Sequence, residues 1–121
     1  MKKLLASALF LLIPLSAHAA CSASDFTVEN FKMKPAGGSG SALRLSLSGQ
    51  LVNHCAQAAA AQVRIEAKDS NGGVVQSKQG WPAGTSNIAP GQSVDFDLGR
   101  LFRYQSEMQN FTVSVADVRT W

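Results

Sequence analysis

The amino-acid sequence predicts an all-β fold, an antiparallel β-sandwich of six or seven short strands. Apolar and polar residues alternate with a period of two over several short stretches, as in strands that bury one face. Turn residues separate these stretches at intervals of about eight to twelve positions, which is typical of sandwiches. No stretch after residue 20 shows a convincing amphipathic helical pattern. A small closed barrel is the competing architecture.

The first twenty residues predict a secretory signal peptide. Lys2 and Lys3 precede an apolar stretch at residues 4–13, Pro14 interrupts it, and Ala17-His18-Ala19 provides small residues for cleavage. This stretch is too short to anchor the chain across a membrane. We therefore expect a bacterial exported protein, periplasmic or secreted.

Export to an oxidising compartment predicts a disulfide between Cys21 and Cys55. It would close a loop of about 35 residues and contribute up to about 4 kcal/mol in the chain-entropy view. Attachment of a lipid to Cys21 is the alternative, but lipoprotein signals carry an aliphatic residue where this chain has His18. The expected organisation is a removed signal at residues 1–20 and one domain at residues 21–121.

The charge balance of the exported chain is nearly neutral. Without Lys2 and Lys3, nine basic residues face eight acidic ones, a net charge of +1, and the basic residues are spread along the sequence. Neither nucleic acid nor an anionic membrane is therefore expected as a partner.

The first two predicted strands flank a loop. Residues 25–34 carry apolar side chains whose alternation slips by one between Val28 and Phe31, as a β-bulge would cause. Residues 35–41 are rich in glycine and serine and predict a flexible loop. Leucines recur at every second position in the stretch that follows, which predicts a half-buried strand; the inward positions are Leu43, Leu45, Leu47 and Leu51, with Gly49.

The next predicted strands form a hairpin. The alanine-rich residues 56–61 are too short for a stable helix and are interpreted as a connection. Residues 62–68 alternate, residues 69–73 form a turn rich in glycine, and residues 74–81 return as the partner strand.

The last two strands flank an irregular segment. Residues 93–98 follow the turn at Pro90 and Gly91, with Val94, Phe96 and Leu98 expected inward and Asp95 and Asp97 outward. Residues 99–109 are irregular, and residues 110–118 form the final strand. This succession of strands favours immunoglobulin-like topology.

Residues 43–98 resemble the FxLyD-type and related immunoglobulin-like domains of exported bacterial proteins. The matching pieces are Gly49 to Asn53 at a strand end, the strand and turn at residues 63–73, and Pro90 to Phe96. At the motif that names the family, this chain has Ile-Glu-Ala-Lys-Asp at residues 65–69. The resemblance covers about half of the exported chain and implies an accessory binding or structural module of the cell envelope.

Residues suited to catalysis are few, so we expect no enzyme, cofactor or metal. His54 adjoins the bridged Cys55, and sequence neighbours on a strand point to opposite faces, so the two do not form a nucleophile pair. Asp95 and Asp97 share one strand face and do not oppose each other across a cleft, as glycosidase carboxylates must. With Asp69 they are too few to bind zinc or calcium. The glycosylation pattern that begins at Asn110 is interpreted as chance in a bacterial protein.

Aromatic residues beside arginines are the best candidates for function, because such residues anchor protein interfaces. The candidates lie outside the alternating core pattern, at loops or strand ends: Trp81, Arg100, Phe102, Arg103, Tyr104 and Trp121. We predict a non-catalytic accessory or structural module that binds another envelope or secreted protein. The alternatives are an inhibitor or immunity protein for a secreted enzyme, and a small carbohydrate-binding or carbohydrate-active domain. Residues 25–34 and 110–118 could also be open sheet edges that pair with another chain.

Overall fold

The computed structural model describes residues 20–121. The predicted signal peptide therefore lies, apart from residue 20, outside the described residues. The strands are β1 (Phe26–Gly37), β2 (Arg44–Asn53), β3 (Ala60–Lys68), β4 (Val74–Gly80), β5 (Ser93–Asp97) and β6 (Asn110–Arg119). Three short 3₁₀ turns lie at Ala23–Asp25, Gly40–Ala42 and Gly99–Leu101. Within this part of the chain, no helix has the length and apolar character needed to cross a membrane.

The six strands form two antiparallel sheets of three strands each. The strand order is β1-β2-β5 in one sheet and β4-β3-β6 in the other. The predicted all-β class and antiparallel pairing are confirmed, and the number of strands is the lower of the two expected. The chain changes sheet between β2 and β3, between β4 and β5, and between β5 and β6.

The central strands β2 and β3 supply the middle of one shared core. Their alternate residues are almost completely buried, as the period-two pattern predicted: Leu45, Leu47, Leu51, Val63, Ile65 and Ala67. Burying one branched aliphatic side chain contributes about 1.5–3 kcal/mol. The edge strands contribute mostly half-buried residues, because each has a neighbouring strand on only one side.

Strand β1 contains the predicted bulge and is longer than predicted. Its register against β2 shifts between Glu29 and Lys32, where Asn30 has φ = 56°, a left-handed conformation that asparagine tolerates. The prediction of a loop over residues 35–41 is wrong for its first three residues, since Pro35 lies opposite Leu45 in the strand. Proline is accepted here because β1 is an edge strand and not every backbone N–H must bond to a neighbour.

The alanine-rich stretch is also more ordered than predicted. Ala60 and Ala61 belong to β3, opposite Arg119 and Val118, and Ala59 forms a bridge to Ile88. All three alanines are at most 1 % exposed. Their methyl groups fit either face of a sheet, so the stretch has no alternating pattern that would have marked it as a strand.

The predicted disulfide is present at the connection between β2 and β3. Cys21 and Cys55 are bonded, with Cα atoms 5.8 Å apart. The Asn53 side chain secures the same connection from inside. Its amide nitrogen donates to the carbonyl oxygens of Ile88 at 2.7 Å and Gln57 at 2.9 Å, and its oxygen accepts from the Cys55 N–H at 2.7 Å.

Candidate binding surface

The segment after β5 crosses from one sheet to the edge of the other. The Leu98 N–H donates to the Leu47 carbonyl at 3.0 Å, which holds the start of the segment against β2. Gly99 follows with its backbone so close to β2 that any Cβ atom would overlap the Leu45 carbonyl oxygen. Leu98 and Leu101 then lie beside Gly80 at the end of β4. Residues 98–101 therefore occupy a fixed position between the sheets.

The Gln76 side chain on β4 holds the next residues in place, because its amide bonds the backbone of Arg103 as a neighbouring strand would. Its amide nitrogen donates to the Arg103 carbonyl oxygen at 2.6 Å, and its amide oxygen accepts from the Arg103 N–H at 3.3 Å. The same nitrogen lies 2.9 Å from the Gln105 side-chain oxygen. Residues 100–104 thus run beside the edge strand β4 in a defined position, although they belong to no strand.

Phe102 anchors this segment in the hydrophobic core. It is only 7 % exposed and packs edge-to-face against Phe111, with ring centroids 6.0 Å apart. Sequence reasoning placed Phe102 among the contact residues, but its burial leaves little of the ring for a partner to touch. Arg100 and Arg103 on either side of it are exposed, and Tyr104 is half-buried.

These residues border an open depression of about 550 Å³, which we call the basic depression. Its lining contains four basic residues, a tyrosine, a glutamine, apolar residues and no acidic side chain: Ala42, Leu43, Arg44, Gln76, Lys78, Arg100, Leu101, Phe102, Arg103 and Tyr104. Four of the nine basic residues that follow the predicted signal therefore lie around one depression.

None of the four cations forms a salt bridge with an acidic side chain in the described part of the chain. The ion pair found there, between Lys68 and Glu66 at 3.9 Å, lies outside the depression. Arg100 donates to the backbone carbonyl of Asp97 at 3.3 Å, which positions its guanidinium without neutralising it. Four positive charges beside a single nearby carboxylate, that of Asp97, create a positive local potential, which attracts an anion.

Asp97 lies beside the depression, but its carboxylate is occupied. One oxygen accepts from the Ser46 hydroxyl at 2.7 Å, and the other accepts from the N–H groups of Leu47 at 3.0 Å and Gly99 at 2.9 Å. Desolvation by itself would raise the pKa of this carboxyl, but the hydrogen bonds and the nearby Arg100 together lower it below the ordinary value of 3.8. The carboxylate, at the end of β5, therefore joins β2 to the 3₁₀ turn at Gly99–Leu101 through its hydrogen bonds.

The two tryptophans form a separate cluster. Trp81 and Trp121 pack edge-to-face with centroids 5.7 Å apart, and the Arg119 guanidinium lies 5.5 Å and 4.9 Å from the two ring centroids. Asn87 bonds the Trp121 backbone through both its amide atoms, at 2.9 and 3.3 Å. Neither tryptophan lines the basic depression. The six predicted contact residues thus divide into a group of four around the depression and a pair elsewhere.

The residues weighed for catalysis and metal binding are arranged differently. His54 is exposed, and its Nε2 lies 2.9 Å from the Thr27 hydroxyl, which itself lies 3.3 Å from the Glu29 carboxylate. The hydroxyl sits between imidazole and carboxylate, whereas a nucleophilic triad needs the imidazole in the middle. Among the described residues, three potential metal ligands converge at Cys21, Asp25 and Cys55, but both sulfurs are held in the disulfide.

Arg44 and Lys78 are the members of the basic depression that sequence reasoning missed. They are 34 positions apart and come from different sheets. Finding them would have required the pairing register of the strands. In that register Lys78 lies opposite Ile65, so it points to the inner face of an edge strand.

No family model matches the chain, and no curated protein or solved structure matches it either. The geometry of the surface and the chemistry of its residues therefore carry the functional argument.

Proposed function

We propose that the protein is an exported, non-catalytic binding module of a Gram-negative-type cell envelope, and that it contacts another envelope or secreted protein through the basic depression. The observation that carries this proposal is the fixed position of residues 100–104. Gln76 secures their backbone and Phe102 anchors them in the core, so that Arg100, Arg103 and Tyr104 are presented together.

Fixed presentation matters because binding otherwise costs conformational entropy. Ordering a mobile, rotamer-rich side chain at an interface costs about 0.5–1.5 kcal/mol, and ordering a loop adds to this cost. In this protein the loop is already ordered by its own contacts. Arginine and tyrosine are also enriched among the residues that dominate binding energy at interfaces. The depression would form the centre of a larger contact area.

The fold supports a binding module of immunoglobulin-like type. The orders β1-β2-β5 and β4-β3-β6 correspond to strands A-B-E and C′-C-F of an immunoglobulin-like sandwich. We propose this topology for the chain, and with it the relationship to FxLyD-type domains. The disulfide supports export, because such bonds persist in oxidising compartments.

The test is a crosslinking pull-down with the oxidised exported chain in native envelope extract. The Arg103→Ala/Tyr104→Ala variant removes two contact side chains and leaves the Gln76 bonds to the Arg103 backbone intact. The matched control, Arg64→Ala/Gln79→Ala, removes a hydrogen-bonded pair from the outer face of the sheet β4-β3-β6, outside the depression. One stoichiometric protein partner, lost in the first variant and retained in the control, is the expected result.

Two results would count against this proposal. Capture of no protein, or equal capture by both variants, would exclude the depression as the contact site and direct attention to the sheet edges. If the captured partner is a secreted enzyme that loses activity in the complex, the module is an inhibitor, the alternative that the sequence left open.

A further inference from the structure

We infer that the basic depression recognises an acidic peptide segment of the partner, with Asp or Glu carboxylates seated among Arg44, Lys78, Arg100 and Arg103. This inference rests on the proposed function and adds the chemistry of the contact. The four cations come from three separate parts of the fold: the start of β2, the edge strand β4, and the segment at residues 100–104.

The placement of Lys78 is the first argument for an anionic occupant. It lies on the inner face of β4 opposite the fully buried Ile65, yet its side chain is exposed at the edge of the sheet. An inward charge on an edge strand discourages pairing with other strands. At this place it also brings an ammonium group to the rim that the arginines already line.

The composition of the lining favours a peptide over a free anion. Leu43, Leu101 and the Tyr104 ring are half-buried and lie among the cations. A carboxylate side chain brings its own methylene groups and neighbouring side chains to such apolar surface, whereas an inorganic ion does not. The planar guanidinium of arginine can also donate hydrogen bonds to both oxygens of a carboxylate.

The overall charge argues against an extended polyanion as the occupant. A net charge of +1 after the predicted signal gives little long-range attraction to a membrane or to nucleic acid. The positive potential is confined to one depression, so it suits a short acidic segment held by direct contact.

The Tyr104 hydroxyl supplies a neutral donor beside the cations. It forms no hydrogen bond with the other residues that the structure describes, while its ring is held half-buried in the lining. A free hydroxyl at the edge of a cationic depression can donate to a carboxylate oxygen. This gives the surface a preference for acceptor-rich side chains beyond simple charge.

The test is an NMR titration of the oxidised exported chain with an acetylated, amidated peptide of four glutamates. The same peptide with four glutamines is the neutral probe. We expect amide shifts to change around residues 42–44, 76–78 and 100–104 with the acidic peptide only. Binding should weaken at an ionic strength of about 1 M, where the Debye length falls to about 3 Å.

Two charge-matched variants locate the binding. Arg100→Gln/Arg103→Gln removes two positive charges from the depression, and Arg64→Gln/Lys68→Gln removes two from the central strand β3 outside it. The first should weaken binding at least about tenfold, since one charge-assisted hydrogen bond is worth about that factor. The second should change it less than about threefold, through loss of screened long-range attraction alone.

Four results would overturn the inference: no shifts with the acidic peptide, shifts outside the depression, equal weakening in both variants, or displacement of the peptide by millimolar inorganic phosphate. Binding to phosphatidylglycerol vesicles without binding to the peptide would identify a membrane as the occupant and also overturn it. The pull-down distinguishes this failure from that of the proposed function. A partner lost in Arg103→Ala/Tyr104→Ala, together with no peptide binding, leaves the binding module intact and removes only its acidic specificity.

Discussion

Replacing Asn53 with alanine should destabilise the protein more than its position at a strand end suggests. Asn53 is 0 % exposed, and its side chain satisfies two backbone groups in the connection that carries the disulfide and one, the Ile88 carbonyl, in the β4–β5 connection. Its own backbone is also engaged, because its N–H donates to Gln92 and its carbonyl accepts from Gly91. Truncation therefore removes the side-chain bonds while the strand end stays in place.

The size of the loss follows from which groups water can reach. The Ile88 carbonyl belongs to a residue only 5 % exposed but still accepts from the Ala59 N–H at 3.2 Å, so losing the Asn53 donor costs about 0.5–1.5 kcal/mol. Gln57 is exposed and Cys55 half-buried, so water can replace much of their two bonds, at about 0.5 kcal/mol each. The expected total is about 1.5–2.5 kcal/mol, a substantial share of the free energy of unfolding of a typical domain, about 5–15 kcal/mol.

The assay is urea unfolding of the oxidised chain from residue 21 onward, followed by tryptophan fluorescence and checked by calorimetry. A loss of this size should lower the melting temperature by about 6–20 °C in a domain of this length. Asn71→Ala is the matched control, because Asn71 is exposed in the β3–β4 turn, and it should change stability by less than about 0.5 kcal/mol. If Asn53→Ala destabilises no more than this control, the buried amide does not secure the connection.

Three further predictions concern the turn at Gly99, the Asp97 carboxylate and the edge strand β1. Gly99→Ala should cost about 2 kcal/mol or more, because a Cβ atom would overlap the Leu45 carbonyl and the turn would have to move; calorimetry measures this loss. The folded-state pKa of Asp97 is lowered, so its stabilisation is complete above the unfolded value and is lost as pH falls below about 4. Stability measured by urea unfolding from pH 6 to pH 2.5 should therefore fall less steeply in Asp97→Asn than in the wild type. Lys32→Thr/Lys34→Thr should promote self-association at high micromolar concentration in sedimentation, because edge lysines discourage strand pairing.

Each of these predictions has its own contrary result. Gly80→Ala is the control for the turn, since its Cβ atom would meet the movable tip of the Leu98 side chain and should cost less than Gly99→Ala. Equal costs would mean that the close approach to β2 does not constrain the turn. Parallel pH profiles for the wild type and Asp97→Asn would show that folding does not lower the pKa of the Asp97 carboxyl. Monomeric behaviour of the lysine variant would remove the protective role of the β1 lysines.

Much of the fold could be predicted because residues 45–51 of β2 and 63–67 of β3 alternate between inward and outward side chains. Their apolar residues occupy one face, so the pattern identifies both strands and their inward residues. The bulge in β1 was visible as a slip in the same pattern. The errors fell where side chains are ambiguous: alanines fit any face at residues 59–61, and Pro35 indicates a loop unless the strand is known to be an edge.

The candidate surface could be predicted only in part, because its members meet through tertiary structure. Arg100, Arg103 and Tyr104 are close in sequence, and the irregular segment drew attention to them. Arg44 and Lys78 join them through strand register and sheet packing, which no local pattern contains. The burial of Phe102 was missed for the same reason, since its partner Phe111 lies on another element.

The nearly neutral charge of residues 21–121 gives no indication of the basic depression. A net charge of +1 excludes a generally cationic protein, but it says nothing about how nine positive and eight negative charges are distributed. Here Asp97, the acid beside the depression, turns its carboxylate to Ser46 and to backbone N–H groups, so it offers the neighbouring cations little compensation. The fold thus uses its adjacent acid for stability and leaves the cations without salt bridges among the described residues. A surface of this kind binds by local charge, which is why variants matched for total charge but differing in position are the decisive comparison.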